Sequence, residues 1–280
     1  MTLTPRSEHA CFGGRIGFYA HASEATGTEM RFCVFVPPQA ERGPVPALYF
    51  LAGLTCTEET FAIKAGAPRL AAEHGLILVA PDTSPRGAGI PGEDEDWDFG
   101  TGAGFYLDAT AEPWSRNYRM ASYVTRELPG LIEANFPVRP DRRGVFGHSM
   151  GGHGALVTAL KDPGRWHSVS AFAPISNPVA VPWGQKAFSR YLGDDRAAWA
   201  RWDASLLMRE RPYPGSILVD QGTADQFLER ELHPQALEEA ARASGQQLTL
   251  RRQEGYDHSY WFIQTFMADH VAHHARLLAG

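Results

Sequence analysis

Ser149 lies in a pattern that is typical of a serine nucleophile. Residues 147–151 read GHSMG and match G-x-S-x-G, a pattern that carries chemistry when a strand enters it and a helix leaves it. An apolar run at 144–146 precedes the pattern, and apolar residues fill 155–160 until Pro163. A serine in a plain glycine-rich connection would match the bare pattern too, so the flanking elements carry the prediction. They indicate a nucleophile on a tight strand-to-helix turn, where small neighbours relieve steric clash.

A serine hydroxyl needs a base and an orienting carboxylate before it attacks at neutral pH. In the α/β-hydrolase order the serine is followed by Asp or Glu and then by His. Asp225 and His258 fit this order, because each stands just after a strand-like run, at 216–220 and 248–252. Asp220 belongs to the strand end itself and is expected to face elsewhere, so Asp225 is the preferred carboxylate.

The other candidates among the 11 histidines are poorer bases for this serine. His148 is adjacent to the serine and is expected to point away from it, and His153 lies on the outgoing helix. A C-terminal group in H-x-x-H-H spacing is expected to have packing or surface roles: His270, His273 and His274. Such spacing occurs in metal sites, but no cluster of carboxylates accompanies it. No metal is therefore predicted.

An oxyanion hole requires two backbone N–H groups aimed at the developing charge. One donor is expected from the residue after the nucleophile, Met150. The other should come from the loop after an earlier strand, and Ala52-Gly53-Leu54-Thr55 follows the run at 46–51. Gly53 gives that loop backbone freedom, so Leu54 is assigned as the second donor.

The elements that must position these residues alternate along the chain. The strand-like runs are 30–36, 46–51, 76–81, 144–147, 168–174, 216–220 and 248–252. The clearest helix-like segments are 68–74, 122–135, 152–161 and 234–244. This alternation predicts an α/β-hydrolase fold, with a mostly parallel central sheet, helices on both faces, and first strands that could be antiparallel. Residues 82–118 form a long insertion that is expected to be functional.

Length and composition narrow the class of protein further. A chain of 280 residues with 44% hydrophobic and 21% charged residues predicts one globular domain over 1–280. The net charge of −6 and the pI near 6.0 argue against a nucleic-acid partner. Three scattered cysteines indicate reduced thiols rather than a disulfide framework. Without a signal-peptide pattern or a membrane-length apolar run, we expect a cytoplasmic protein with no membrane partner.

Several longer stretches carry a resemblance to a known family. They are FLAGLTCTEETF (50–61), APDTSPRG (80–87), GEDEDWDFGTGAGFYLDAT (92–110), NYRMASYV (117–124), FGHSMGGHGAL (146–156), SAFAPISNP (170–178) and GYDHSYWFI (255–263). Over nearly its whole length the chain resembles the S-formylglutathione hydrolase family, also called esterase D. One departure is Pro68, where relatives more often have a polar residue; proline is acceptable at a first helical position.

The resemblance implies a serine thioesterase that hydrolyses S-formylglutathione to formate and glutathione, the second step of glutathione-dependent formaldehyde detoxification. It implies no cofactor and no metal, and it implies a homodimer. The family's serine, aspartate and histidine fall on Ser149, Asp225 and His258. The alternatives are a broad short-chain carboxylesterase or acyltransferase with the same three residues, and a non-catalytic binding module of the same fold.

Three further residues are candidates for the substrate site. Cys56 lies two residues past Leu54, so it is either beside the site, where thiol reagents would block the enzyme, or a small buried residue. Trp97 and Trp183 are candidates to wall the glutathione cleft, with buried packing as the alternative. The acidic run at 93–96 either meets the γ-glutamyl ammonium or is a solvated face.

Overall fold

A nine-stranded sheet forms the centre of the structure, a computed structural model that describes residues 2–279. The strands are β1 (Thr4–Cys11), β2 (Gly14–Ala22), β3 (Glu29–Val36), β4 (Val45–Leu51), β5 (Ile77–Pro81), β6 (Val138–His148), β7 (Ser168–Phe172), β8 (Ile217–Gly222) and β9 (Leu248–Gln253). Their spatial order is β1-β2-β3-β5-β4-β6-β7-β8-β9. The first three pairings, up to β3 with β5, are antiparallel, and the other neighbours run parallel. The predicted mostly parallel sheet is confirmed, and its first strands are antiparallel, an arrangement that the sequence left open.

Helices connect the strands in the alternation that the sequence predicts, which confirms the α/β-hydrolase fold. They are α1 (Glu58–Lys64), α2 (Ala67–His74), α3 (Met120–Ser122), α4 (Leu128–Asn135), α5 (Met150–Lys161), α6 (Pro182–Leu192), α7 (Arg196–Ala200), α8 (Ala204–Glu210), α9 (Pro234–Ser244) and α10 (Tyr260–Leu278). The helix expected at 122–135 is interrupted, because Tyr123–Glu127 forms a π-helical turn between α3 and α4. Within the described residues, every helix is too short or too polar to span a bilayer.

Local sequence signals fix where several helices begin and end. The Thr57 and Thr60 side chains cap the start of α1 reciprocally with backbone N–H groups, which satisfies donors that a helix end leaves free. The Ser259 hydroxyl accepts from Trp261 N and begins α10 in the same way. Gly245 ends α9 in the left-handed conformation, at φ 75°, which a residue with a Cβ adopts less readily.

An aromatic cluster packs α1 against the middle of the sheet. Phe50 of β4, Phe146 of β6 and Phe61 of α1 are fully buried. The Phe50 and Phe61 rings stack with centroids 3.8 Å apart, and Phe146 meets Phe50 edge-on at 4.9 Å. Burial of each such ring contributes roughly 2 to 3 kcal/mol. The cluster therefore fixes two of the strands, β4 and β6, whose carboxyl ends lead into the site.

The carboxyl ends of four parallel strands meet at one edge of the sheet. β4 leads into the loop at 52–56, β6 into Ser149, β8 into the loop with Asp225, and β9 into the loop with His258. Since the strands lie side by side in the order β4-β6-β7-β8-β9, residues far apart in sequence converge at this edge.

Candidate active site

Ser149 occupies a strained turn between a strand and a helix. β6 ends at His148 and α5 begins at Met150. Ser149 itself has φ 58° and ψ −120°, a region that L-residues rarely adopt and that costs of order 1–3 kcal/mol. The close approach around it excludes side chains, since a Cβ at Gly151 would overlap the carbonyl oxygen of Leu51. The strand-turn-helix context predicted for this serine is therefore present.

His258 and Asp225 form a hydrogen-bonded pair. Nδ1 of His258 lies 2.5 Å from Oδ2 of Asp225, and the Asp225 side chain has no exposed surface while that of His258 is 11% exposed. The carboxylate also accepts hydrogen bonds from Phe227 N at 2.8 Å and from Gln221 Nε2 at 3.2 Å. These bonds orient the carboxylate toward the imidazole. Because Nδ1 faces Asp225, Nε2 is the nitrogen left to exchange a proton.

Ser149 and His258 line one cavity of about 350 Å³. Four other predicted site residues share its wall: Leu54, Cys56, Trp97 and Trp183. Trp183 is 6% exposed and Trp97 is 57% exposed, and their rings meet edge-to-face with centroids 5.8 Å apart. Asp225 and Met150, the other two predicted site residues, are buried and do not line the cavity.

Two backbone donors border the serine. The Met150 N–H opens α5, so it has no acceptor within the helix and adds the positive end of the helix dipole. In the loop after β4, Thr55 N donates to Gly102 O and Cys56 N to Gly53 O. Within residues 2–279 the Leu54 N–H has no such acceptor. A Cβ at Gly53 would lie 3.2 Å from the Ser149 Cβ, so the loop runs directly against the serine.

The insertion at 82–118 holds this loop in place. Thr83 Oγ1 and Arg86 Nη2 both donate to the Cys56 carbonyl oxygen, at 2.6 and 3.2 Å. Arg86 is itself fixed by Asp82, whose Oδ2 lies 2.7 Å from its Nε. Further along, the Tyr106 hydroxyl donates to Ala52 O at 2.9 Å. The insertion thus positions the backbone on both sides of Leu54.

His148 does not point away from the site as expected. Its ring lies 4.4 Å from that of His258, centroid to centroid, and it lines the same cavity. Burial, followed by the nearby His258, holds the pKa of His148 well below its ordinary value. The side chain is consequently a neutral neighbour of His258 near pH 7.

Lys64, Tyr260 and Phe227 also reach the cavity, and the sequence reasoning missed them. Lys64 is the last residue of α1 and Tyr260 the first of α10, so they come from helices distant in sequence. Phe227 lies two residues beyond Asp225, and its ring meets His258 edge-on at 5.1 Å. Its position two residues after a proposed catalytic residue is the one sequence signal that points to Phe227.

Asp220 faces away from the site, as expected, and pairs with Arg251 at 2.5 Å and with His270 at 3.1 Å. Burial opposes its ionisation, but the hydrogen bonds from His270 and Arg251 lower the pKa of Asp220 to about 2. The other two C-terminal histidines also form hydrogen bonds with the sheet. His274 bonds with the hydroxyls of Ser168 and Ser170, and His273 bonds with Val169 O. These histidines have the packing role that was predicted.

Most of the acidic run at 93–96 is engaged within the protein. Glu93 is buried and accepts from Gly89 N at 2.8 Å, and Asp94 accepts from Thr101 Oγ1 at 2.6 Å. Asp96 lies 3.1 Å from Lys186 and 2.9 Å from Arg190. These three carboxylates are therefore already partnered by groups of the chain.

The chain is similar in sequence and in structure to known S-formylglutathione hydrolases. A family model described as a putative esterase matches residues 23–273. The chain is 56% identical over 282 residues to an S-formylglutathione hydrolase of Mus musculus, covering 99% of both chains. It is 54% identical over 272 residues to that of Paracoccus denitrificans, covering 97% of each. The solved structure of an S-formylglutathione hydrolase from Agrobacterium tumefaciens superposes with a TM-score of 0.96 at 50% identity, over 98% of this chain and 99% of that one.

Proposed function

The chain belongs to the S-formylglutathione hydrolase family of esterases, and we propose that it hydrolyses S-formylglutathione to formate and glutathione. The observation that carries the proposal is the 2.5 Å contact of His258 with Asp225 at the edge of the cavity that also holds Ser149. The reaction is the second step of glutathione-dependent formaldehyde detoxification. It requires no cofactor, because the nucleophile, base and oxyanion donors all belong to the chain.

In the first half of the reaction, Ser149 Oγ attacks the formyl carbon while Nε2 of His258 takes its proton. Asp225 holds the imidazole through Nδ1 and stabilises the imidazolium that forms. The carbon–sulfur bond then breaks, and the proton on His258 passes to the departing sulfur. Glutathione leaves, and a formyl ester remains on Ser149.

In the second half, water attacks the formyl ester while His258 again accepts the proton. Collapse of the second tetrahedral intermediate returns the proton to Ser149 Oγ and releases formate. In both halves the N–H groups of Leu54 and Met150 donate to the oxyanion. Removal of one such donor costs on the order of 100- to 1,000-fold in kcat in other enzymes, so the loop before Cys56 contributes as much as a side chain.

Steady-state hydrolysis of S-formylglutathione, followed as loss of thioester absorbance, tests the proposal. The same preparation is assayed with p-nitrophenyl acetate, and Ser149→Ala serves as the control. We expect a strong preference in kcat/KM for the thioester, and loss of both activities in the control. Some turnover of the aryl ester should survive, since pockets discriminate methylene-sized differences by only about 10- to 200-fold.

Two outcomes would contradict the proposal in different ways. Equal or better turnover of p-nitrophenyl acetate would leave Ser149 as the nucleophile and indicate a broad carboxylesterase. Thioesterase activity that persists in Ser149→Ala would rule out the covalent route.

The proposal also includes a single-domain homodimer in the cytoplasm. One sheet with strands from Thr4 to Gln253 supports the single domain, and the free thiols of Cys11, Cys33 and Cys56 support a reducing compartment. The homodimer rests on the family resemblance. Light scattering coupled to gel filtration tests it, because a monomer would have the chain mass of 30.8 kDa.

A further inference from the structure

Lys64 is an isolated cation at the catalytic cavity. Among the described residues that line this cavity, it is the only Lys, Arg, Asp or Glu. Its ammonium lies 5.9 Å from the centre of the Tyr260 ring, and within residues 2–279 no carboxylate lies in ion-pair range of it. A single unpaired positive charge at the rim of a cavity whose described lining holds no carboxylate attracts an anionic group of the substrate.

A second cleft, of about 500 Å³, adjoins the cavity on another side. The two share Trp97, Trp183 and Phe227. Unlike the cavity, this cleft carries charges of both signs in its wall: Asp98, Lys186, Arg230 and Glu231. Lys186 lies 2.5 Å from Asp98, and Arg230 lies 3.4 Å from Glu231. Both cations of the cleft are thus paired with its carboxylates, so a zwitterionic group would bind here by joining these pairs through its own two charges.

We propose that glutathione binds across the mouth of the cavity, with its glycyl carboxylate on Lys64 and its γ-glutamyl group in the mixed-charge cleft. The inference rests on the proposed function. The sulfur belongs to the central residue of the tripeptide, so the two ends must extend away from Ser149 in different directions. One end carries only a carboxylate, while the γ-glutamyl end carries an ammonium and a carboxylate. The lone cation and the mixed-charge cleft match these two ends.

The contact would act on binding rather than on chemistry. The glycyl carboxylate is remote from the reacting carbon, so its interaction with Lys64 is equal in the ground state and the transition state, and its loss raises KM while kcat stays the same. Exposed ion pairs are worth up to about 1 kcal/mol, so the expected loss is about fivefold in kcat/KM.

Lys64→Gln tests the inference with two substrates, S-formylglutathione and its glycyl ethyl ester, in which the glycyl carboxylate is masked. We expect the variant to lose about fivefold in kcat/KM on S-formylglutathione, through KM, and to match the wild type on the ethyl ester. The wild type should prefer the free acid over the ester by a similar factor. Arg126→Gln is the matched control, since it removes an exposed cation that does not line the cavity.

The experiment distinguishes a wrong assignment of Lys64 from a wrong proposed function. Equal losses of Lys64→Gln on both substrates, or no loss on either, would overturn the assignment of the glycyl carboxylate to Lys64. A wild-type enzyme that turns over p-nitrophenyl acetate but not S-formylglutathione would overturn the proposed function itself, before any variant is compared.

Discussion

The Thr83 hydroxyl donates a 2.6 Å hydrogen bond to the carbonyl oxygen of Cys56. Arg86 donates to the same oxygen, so one carbonyl of the loop after β4 is held by two residues of the insertion at 82–118. Leu54, two residues before Cys56, has its N–H directed by that loop. The proposed oxyanion donor, the Leu54 N–H, is consequently positioned by the insertion at 82–118 as well as by β4.

Thr83→Val should lower kcat without unfolding the protein. Valine has nearly the shape of threonine but cannot donate, so the Cys56 carbonyl loses one of its two donors. We expect kcat on S-formylglutathione to fall about tenfold with little change in KM, a part of the 100-fold or more that loss of an oxyanion donor costs. Thr110→Val removes a hydroxyl bond to Leu192 O and is the control. Equal kcat values for the two variants would contradict the positioning role.

The parallel strands were predictable because burial on both faces makes them continuous apolar runs. β5 and β7 are buried at every position, and their predicted and observed positions nearly coincide. β1 and β2 were not predicted, since β1 lies at the sheet edge and most of its residues are exposed. An edge strand of this kind gives no hydrophobic alternation to detect.

Part of the candidate site, like part of the fold, was predictable from the sequence. Ser149, Asp225 and His258 follow strand ends, and strand ends are visible in sequence. The hydrogen bonds of Thr83 and Arg86 to Cys56 are not, because a loop's composition does not specify its partners. The position of Lys64 beside Tyr260 depends on how α1 and α10 pack, which is a property of the folded chain.

Gly151→Ala should prevent stable folding. A Cβ at this position would overlap the backbone of Leu51 and Ala52. The start of α5 and the end of β4 are both buried here, so neither can move away without loss of packing. Gly130→Ala is a matched control in α4, where a Cβ would meet no atom within 4 Å. There we expect a stabilisation of about 0.5–1 kcal/mol. Soluble yield and Tm check both, and a Gly151→Ala protein with wild-type Tm would contradict the prediction.

The protein should lose stability on mild acidification because it buries neutral histidines. Burial lowers the pKa of His153 to about 4. Burial is also the main cause that lowers the pKa values of His270 and His274. Between pH 4 and 6.5 the unfolded chain therefore binds more protons than the folded chain, so stability falls as pH falls. Each such proton changes the unfolding free energy by up to about 1.4 kcal/mol per pH unit.

Urea unfolding at pH 7, 6 and 5 measures this dependence. His153→Leu keeps an apolar side chain between Phe105 and Phe188, which flank the ring at 6.2 Å, and removes one titrating group. Its unfolding free energy should decline less steeply with acidification than that of the wild type. Identical slopes for the two proteins would show that His153 does not contribute.

Thiol reagents should modify Cys56 slowly, and the modification should inactivate the enzyme. Its side chain lines the catalytic cavity, and its Sγ lies 4.0 Å from the Tyr260 hydroxyl. Burial raises the pKa of the Cys56 thiol, and contacts with Tyr260 and Thr60 together with the charge of Lys64 offset this only in part. Because the thiolate is the reactive form, inactivation by iodoacetamide should be slow at pH 7 and accelerate about tenfold per pH unit on raising the pH.

Inactivation would follow from bulk in the cavity, because Cys56 has no part in the proposed chemistry. Cys56→Ala should therefore retain activity on S-formylglutathione, since the backbone carbonyl that Thr83 and Arg86 hold is unchanged, and it should resist the reagent. Cys11→Ala is the control and should be inactivated like the wild type, because Cys11 does not line the cavity. A Cys56→Ala enzyme that is still fully blocked would assign the inactivation to another residue and leave Cys56 a small packing residue.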